Sequence, residues 1–239
     1  MAIVGKVCRE LGLYESTVQN AVNGAIYPDK NPEYELRRGK RGGKFYSPVS
    51  HHKAKNKLIM KHIWRARESR LRNNYRDAAF NLGRALHYVH DRCTGKGFLG
   101  FFHDRVENKT SEIQVPIEHI QAGFNHAVSH PMAVEDLLAK IQYSNKPEEI
   151  VSRASFASAW LAKATFDQGD ITKANQELQS YISKRRNAAL LTLGSILVAF
   201  LTTSTSFLAL PIIVLSAGLF LIGHYNSRVK KLRRWFNLH

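Results

Sequence analysis

The sequence predicts an all-α protein in which a helical soluble domain is followed by a C-terminal hairpin of transmembrane helices. Apolar residues recur at helical spacing through most of the chain, and alternating strand patterns extend over no more than a few residues. Residues 187–226 contain no Asp, Glu, Lys or Arg, and a stretch of this length exceeds what a typical core helix needs. We therefore divide the chain into an all-helical domain, 1–183, and a membrane hairpin with basic flanks, 184–239.

Composition limits the partners and the compartment. The 239 residues carry a formal net charge of +16, and 44% of them are hydrophobic, which is enough for a folded core. Such a charge attracts polyanions, either an acidic membrane surface or nucleic acid, although general solubility also explains it. The two cysteines give no disulfide framework and fit a reducing compartment. Met1 leads into an amphipathic segment without a secretory signal, so we expect the soluble domain to stay on the side where it is made.

The helices of the soluble domain follow from their apolar spacing and their end signals. An apolar stripe predicts a first helix over residues 2–11, and Ser16 can cap a second helix that runs to about Ala25. Tyr27 opens a long loop that is rich in Pro, Gly and charge and closes near His52. Further helices are predicted at residues 54–72, 75–91, 111–130, 132–143, 147–167 and 170–185.

A basic, glycine-containing run lies in the long loop. Cations and backbone N–H groups of such a run can cradle phosphate, but it lacks the spacing of a P-loop, and a solvated loop explains it equally well. The predicted phosphate-binding residues are Arg37, Arg38, Lys40, Arg41 and Lys44.

Two histidine–acid pairs stand close together in the middle of the chain. His87 precedes Asp91 by four residues, and His103 precedes Glu107 by four, with a glycine-containing break between the pairs. On a helix this spacing places both side chains on one face, with Cβ atoms about 5–6 Å apart, where an imidazole and a carboxylate can bind one divalent cation. A surface ion pair is the alternative for each pair. The histidines at 119, 126 and 130 are better explained as half-buried helix residues.

The apolar C-terminal stretch is divided by Thr202–Ser206 into arms of roughly 15 and 17 residues, each near the lower limit for crossing a hydrocarbon core. Basic flanks, Lys184–Arg186 and residues 228–234, lie on both sides of it. The positive-inside rule places both flanks, and the soluble domain, in the cytoplasm. Trp235 and Phe236 would rest at the membrane interface, and a buried soluble hairpin is the alternative for the whole stretch.

The stretch Asn74–Asp91, with its Leu-His-Tyr-x-x-Asp segment at residues 86–91, resembles the zinc-dependent phospholipase C family. That family is similar in fold and metal chemistry to the zinc nucleases that cut single strands. Its pattern also contains an acidic residue in a loop, a histidine shortly before a helix and a later His-x-x-x-Glu. The resemblance covers residues 25–110 and implies a helical fold and these zinc ligands: Asp29, one of His51 and His52, His87 and Asp91 at one ion, and His103 with Glu107 at another.

Two departures from the family pattern affect the number of ions, which we expect to be one to three. The family's N-terminal tryptophan and early histidine have no counterpart before Asp29. The usual histidine between Asp91 and His103 is also missing, so His90 or a histidine of the following helix would have to replace it. The resemblance suggests that Asp29 acts as both ligand and base, although a purely ligating role is equally compatible with the sequence.

These observations lead to the hypothesis of a membrane-anchored, zinc-dependent phosphodiesterase that acts on phospholipid headgroups at an anionic membrane. Clustered zinc ions suit phosphodiester hydrolysis, because they neutralise phosphate oxygens and stabilise the leaving oxygen. A zinc-dependent nuclease is one alternative, favoured by the basic charge and disfavoured by the anchor. The other is a non-catalytic membrane module that binds anionic lipid or a partner, which the missing ligands favour.

Overall fold

The computed structural model describes residues 2–38, 42–49, 56–94, 113–201 and 209–238. Within these ranges the chain forms nine helices and one two-stranded antiparallel sheet, so the prediction of a helical protein is confirmed. The chain separates into two compact units, Met1–Gly169 and Asp170–His239.

The elements of the first unit are α1 (Ala2–Glu10), α2 (Glu15–Lys30), β1 (Tyr34–Arg38), β2 (Lys44–Pro48), α3 (Asn56–Leu71), α4 (Tyr75–Cys93), α5 (Ile117–His126), α6 (Pro131–Lys140) and α7 (Pro147–Phe166). The second unit contains α8 (Ile171–Leu201) and α9 (Ala209–Phe236). The core of the first unit lies along α4, where Ala79, Leu82, Leu86 and Val89 are fully buried, in agreement with the apolar stripe in the sequence.

The predicted long loop after Ala25 is wrong in two places. Helix α2 continues through Pro28 to Lys30, so Asp29 lies in the last helical turn rather than in a loop. The helix tolerates Pro28 because proline removes only one hydrogen bond near the helix end and its ring is buried. Beyond it, β1 and β2 pair in register from Tyr34 opposite Pro48 to Arg38 opposite Lys44. These five-residue strands are too short and too charged to give an alternating pattern in the sequence.

Helices α2 and α4 approach each other so closely that glycine is required at their crossing. A Cβ atom at Gly24 would overlap the backbone carbonyl of Phe80, and one at Gly83 would overlap that of Ala21. The contact is therefore between backbones, and it brings the last turn of α2 beside the second half of α4.

Helices α8 and α9 of the second unit pack antiparallel. The rings of Tyr181 and Tyr225 lie 6.1 Å apart, and Gly218 lies against the side chain of Thr192. Helix α8 is continuous where the sequence predicted an end near residue 185. Among the residues that the structure describes, one segment, Ile212–Phe236, is long and apolar enough to cross a membrane. Trp235 is fully buried, and its predicted position at the membrane interface stays a prediction.

We expect Gly83→Ala to destabilise the first unit by about 2 kcal/mol or more, because the added methyl group must push two backbones apart. Urea unfolding followed by circular dichroism measures the change. Gly5→Ala is the matched control: a Cβ there meets Arg9 and Val22 at 3.5 and 3.6 Å, ordinary contact distances. The control should be neutral or stabilising by up to about 1 kcal/mol. Equal destabilisation by both substitutions would contradict the backbone contact.

Candidate metal site

His87 is the centre of a cluster formed by α2 and α4. Helix α4 begins at an Asn74 cap, whose side chain accepts a hydrogen bond from the Asp77 N–H at 3.1 Å. Three turns later the buried His87 points its Nε2 at two carboxylates. Asp91 Oδ2, one turn further along α4, lies 3.2 Å from this nitrogen, and Asp29 Oδ1, from the last turn of α2, lies 3.5 Å from it.

The surroundings of His87 fix its orientation and its charge. Its imidazole donates a hydrogen bond to the backbone carbonyl of Ala25. Burial lowers the pKa of His87, but the hydrogen bond to Asp91 and the negative charges of Asp91 and Asp29 outweigh burial, and the net effect is a raised pKa. Two carboxylates therefore face one imidazole in this cluster.

The donor atoms are of the types that zinc binds, and two of their separations are compatible with a shared ion. Zinc binds imidazole nitrogen and carboxylate oxygen at about 2.0–2.2 Å, and two tetrahedral ligands then lie about 3.4 Å apart. The Nε2–oxygen separations of 3.2 and 3.5 Å are close to this value. A histidine ligand usually donates its other ring N–H to a carbonyl or carboxylate, as His87 does to Ala25. Even so, no group of three or more His, Cys, Asp or Glu side chains within the described ranges is arranged to hold an ion as it stands.

The remaining predicted ligands are not tested by the structure. His51, His52, His103 and Glu107 lie outside the described residues, so the fourth donor of the first ion and the whole second site stay predictions. His90 can be placed: its Nε2 lies 2.8 Å from Ser158 Oγ on α7, so it faces away from α2. His126 Nδ1 lies 2.9 Å from the Ala122 carbonyl oxygen on its own helix, as an ordinary helix residue does.

The predicted phosphate-binding run is described only in part. Arg38 and Lys44 are cross-strand partners at the turn end of the β hairpin, and both are exposed. Lys40 and Arg41 lie outside the described residues, and Arg37 is described by its backbone alone, opposite Phe45. Arg38 ends β1 and Lys44 begins β2, and a short link joins β1 to the end of α2, where Asp29 lies.

A second polar cluster, which sequence reasoning missed, surrounds Glu33 between α2 and β1. Glu33 Oε2 accepts a hydrogen bond from Lys61 Nζ at 2.8 Å, and Glu33 Oε1 lies 2.9 Å from His62 Nε2 and also pairs with Arg84. Burial raises the pKa of Glu33, but Lys61, His62 and Arg84 outweigh burial and lower it. No sequence spacing could have revealed this cluster, because its members come from three separate elements.

Tyr88 connects the two clusters. Its ring lies 5.2 Å from the ring of His87, edge to face, and stacks at 6.0 Å on the ring of His62. Burial, followed by the positive charge of Arg84, lowers the pKa of His62 to about 4, so His62 is neutral at pH 7. Tyr88 therefore contacts one histidine of each cluster.

Comparison with known proteins gives no relative for this chain: no protein-family model matches it, and neither a curated protein nor a solved structure matches it. The resemblance to zinc-dependent phospholipases C thus rests on the motif residues alone. The geometry around His87 is independent of that resemblance.

We expect Glu33→Gln to destabilise the first unit by about 1–3 kcal/mol at pH 7, because it removes the buried charge that Lys61 and Arg84 neutralise. The folded pKa of Glu33 is lowered, so its contribution is present above the unfolded pKa and disappears as the pH falls through the folded pKa. Urea unfolding of both proteins at a series of pH values from 7 downward measures this.

The control for this experiment is Glu15→Gln, which removes the exposed pair with Arg9. We expect that change to have little effect at any of these pH values. If Glu33→Gln lowered the free energy of unfolding equally at pH 7 and at low pH, the carboxylate charge would not stabilise the fold.

Proposed function

We propose that this protein is a membrane-anchored, zinc-dependent phosphodiesterase that hydrolyses phospholipid headgroups. The observation that carries the proposal is the convergence of Asp29, His87 and Asp91 from two helices. A cation is the partner that relieves the repulsion between two carboxylates at one imidazole.

In this proposal His87 and Asp91 hold the ion, with Asp29 and one of His51 and His52 completing the site. A bound zinc ion would lower the pKa of a coordinated water and neutralise phosphate oxygens. The two carboxylates differ in access, because the Asp29 side chain is 54% exposed and the Asp91 side chain 16%. Asp29 is therefore suited to take a proton from an incoming water, while Asp91 orients His87 from within the helix.

The proposed substrate class is inferred from the β hairpin that follows α2 in the chain. Arg38 and Lys44 at the turn end of the hairpin can attract phosphate. The same hairpin exposes apolar and aromatic side chains, namely Tyr34, Leu36, Phe45 and Tyr46. Exposed aromatic residues beside cations suit contact with a lipid surface, where one end of the ring is in apolar surroundings and the other is hydrated.

The anchor in this proposal is a transmembrane hairpin made of α8 and α9. Both of its basic flanks then face the same side of the membrane, and the positive-inside rule places that side, with the first unit, in the cytoplasm. Large apolar side chains of both helices are exposed, including Leu191, Leu197, Ile213 and Phe220. An exposed apolar band of this kind is unfavourable in water and favourable in lipid.

A non-catalytic module that binds anionic lipid is the second candidate. The observation in its favour is that His87 has partners within the protein, since it contacts two carboxylates and donates to Ala25. The cluster could then serve only to fasten α2 to α4.

Metal content separates the two candidates. We expect purified protein to contain at least one zinc per chain and His87→Ala to lose it together with phosphodiesterase activity, because the central nitrogen is removed. Elemental mass spectrometry measures the zinc. The matched control is His126→Ala, which removes an exposed helix histidine and should leave zinc and activity unchanged. Zinc-free protein that is folded would reject the enzyme and support the non-catalytic module.

The substrate is tested on zinc-loaded protein with two phosphodiester classes. We expect release of the phosphorylated headgroup from phosphatidylglycerol or phosphatidylcholine vesicles and loss of that activity in Asp29→Asn. Salt-sensitive cutting of single-stranded DNA or RNA without lipid turnover would instead assign the site to a nuclease.

A further inference from the structure

The second unit changes character along its length. We call residues 171–186 with 224–236 the stem, and residues 187–201 with 209–223 the arms. In the stem, most apolar side chains are buried and most charged ones are at least partly exposed, as in a water-soluble helix pair. Its buried residues are Ala174, Leu178, Val229, Leu232, Trp235 and Phe236.

The arms have the opposite arrangement. Thr192 and Ser195 are buried, while large apolar side chains such as Leu191 and Phe220 are exposed. The buried hydroxyls bond to their own helix, from Thr192 Oγ1 to the Ala188 carbonyl and from Ser195 Oγ to the Thr192 carbonyl, each at 2.8 Å. Polar groups satisfied inside and apolar groups outside are the pattern that hydrocarbon surroundings require.

Aromatic and basic side chains lie at the boundary between the stem and the arms. The Tyr181 ring lies 6.1 Å from the Tyr225 ring, with Lys184 Nζ 5.6 Å from the Tyr181 ring centre and the Arg228 guanidinium 5.9 Å from it. Arg185 donates to Asn226 Oδ1 at 3.4 Å. We call Lys184, Arg185 and Arg228 the collar. Glu177, which accepts a hydrogen bond from Tyr181, is the acid nearest to it on α8.

We propose that the membrane surface crosses the second unit at Tyr181 and Tyr225, that the collar binds lipid phosphates of an anionic leaflet there, and that the stem stands in water. This inference rests on the proposed membrane association. Length and composition alone would place the whole of Ile212–Phe236 in the membrane. The proposed membrane surface excludes the end of that segment, which carries five cations of the stem. Charged side chains are unfavourable in hydrocarbon, whereas Tyr, Lys and Arg are favoured at the interface.

Depth measurements test the position of the surface. Single cysteines at Leu191 and Phe220 in the arms, and at Ser180 and Lys230 in the stem, are labelled with an environment-sensitive dye in full-length protein. The protein is reconstituted in phosphatidylglycerol–phosphatidylcholine vesicles that carry an acyl-chain nitroxide quencher. The native Cys8 and Cys93 are fully buried, and burial raises the pKa of each thiol to about 12, so they should not react.

We expect the nitroxide to quench the arm labels several-fold and to leave the stem labels as in quencher-free vesicles. Quenching at Lys230 as strong as at Phe220 would overturn the inference while leaving membrane association intact. Quenching at none of the four positions would reject membrane association itself, so the two failures are distinguishable.

Charge variants test the collar. Lys184→Gln, Arg185→Gln and Arg228→Gln together should remove most of the several-fold preference for phosphatidylglycerol over pure phosphatidylcholine vesicles. The matched control carries the same charge change on exposed stem residues, Lys173→Gln, Lys230→Gln and Arg233→Gln. It should keep most of that preference. Equal losses in both variants would overturn the collar as a site, and so would abolition of the preference by single-stranded RNA at equal phosphate concentration.

Discussion

The candidate site depends on the backbone contact between α2 and α4. Gly24 and Gly83 allow the two helices to meet without intervening side chains, so the last turn of α2 lies close enough for Asp29 to reach His87. A wider crossing would leave His87 with Asp91 alone, an ordinary pair on one helix. The same proximity lets His87 donate to the Ala25 carbonyl, which orients the ring. Two glycines thus determine whether one carboxylate or two face the imidazole.

The two polar clusters that contact Tyr88 contain different sets of charged groups. Around Glu33, Lys61 and Arg84 more than neutralise one carboxylate, and the neighbouring His62 remains uncharged. Around His87, two carboxylates face one imidazole. The first cluster is complete within the protein and has a structural role. The second contains donor atoms of the types that zinc binds, and it is the cluster on which the proposed function depends.

The two units differ in which side chains are buried and which are exposed. In the first unit most large side chains of the core are apolar and buried, and the buried Arg67 donates hydrogen bonds to backbone carbonyls. In the arms of the second unit this order is reversed, although the same two helices have a water-type pattern in the stem. The change takes place within continuous helices, so no change of secondary structure accompanies it. Hydropathy averaged over a long window does not locate such a change.

The sequence by itself determined the helical class, the apolar stripe of α4 and the pairing of His87 with Asp91, because all three follow from spacing within one helix. It also marked the apolar C-terminal stretch by composition. Tertiary structure decided what depends on contacts between elements. Asp29 joined His87 because α2 continues through Pro28, the Glu33 cluster formed from three distant segments, and Trp235 became buried on α9. Local spacing carries no information about these contacts, since they arise only when separate helices pack.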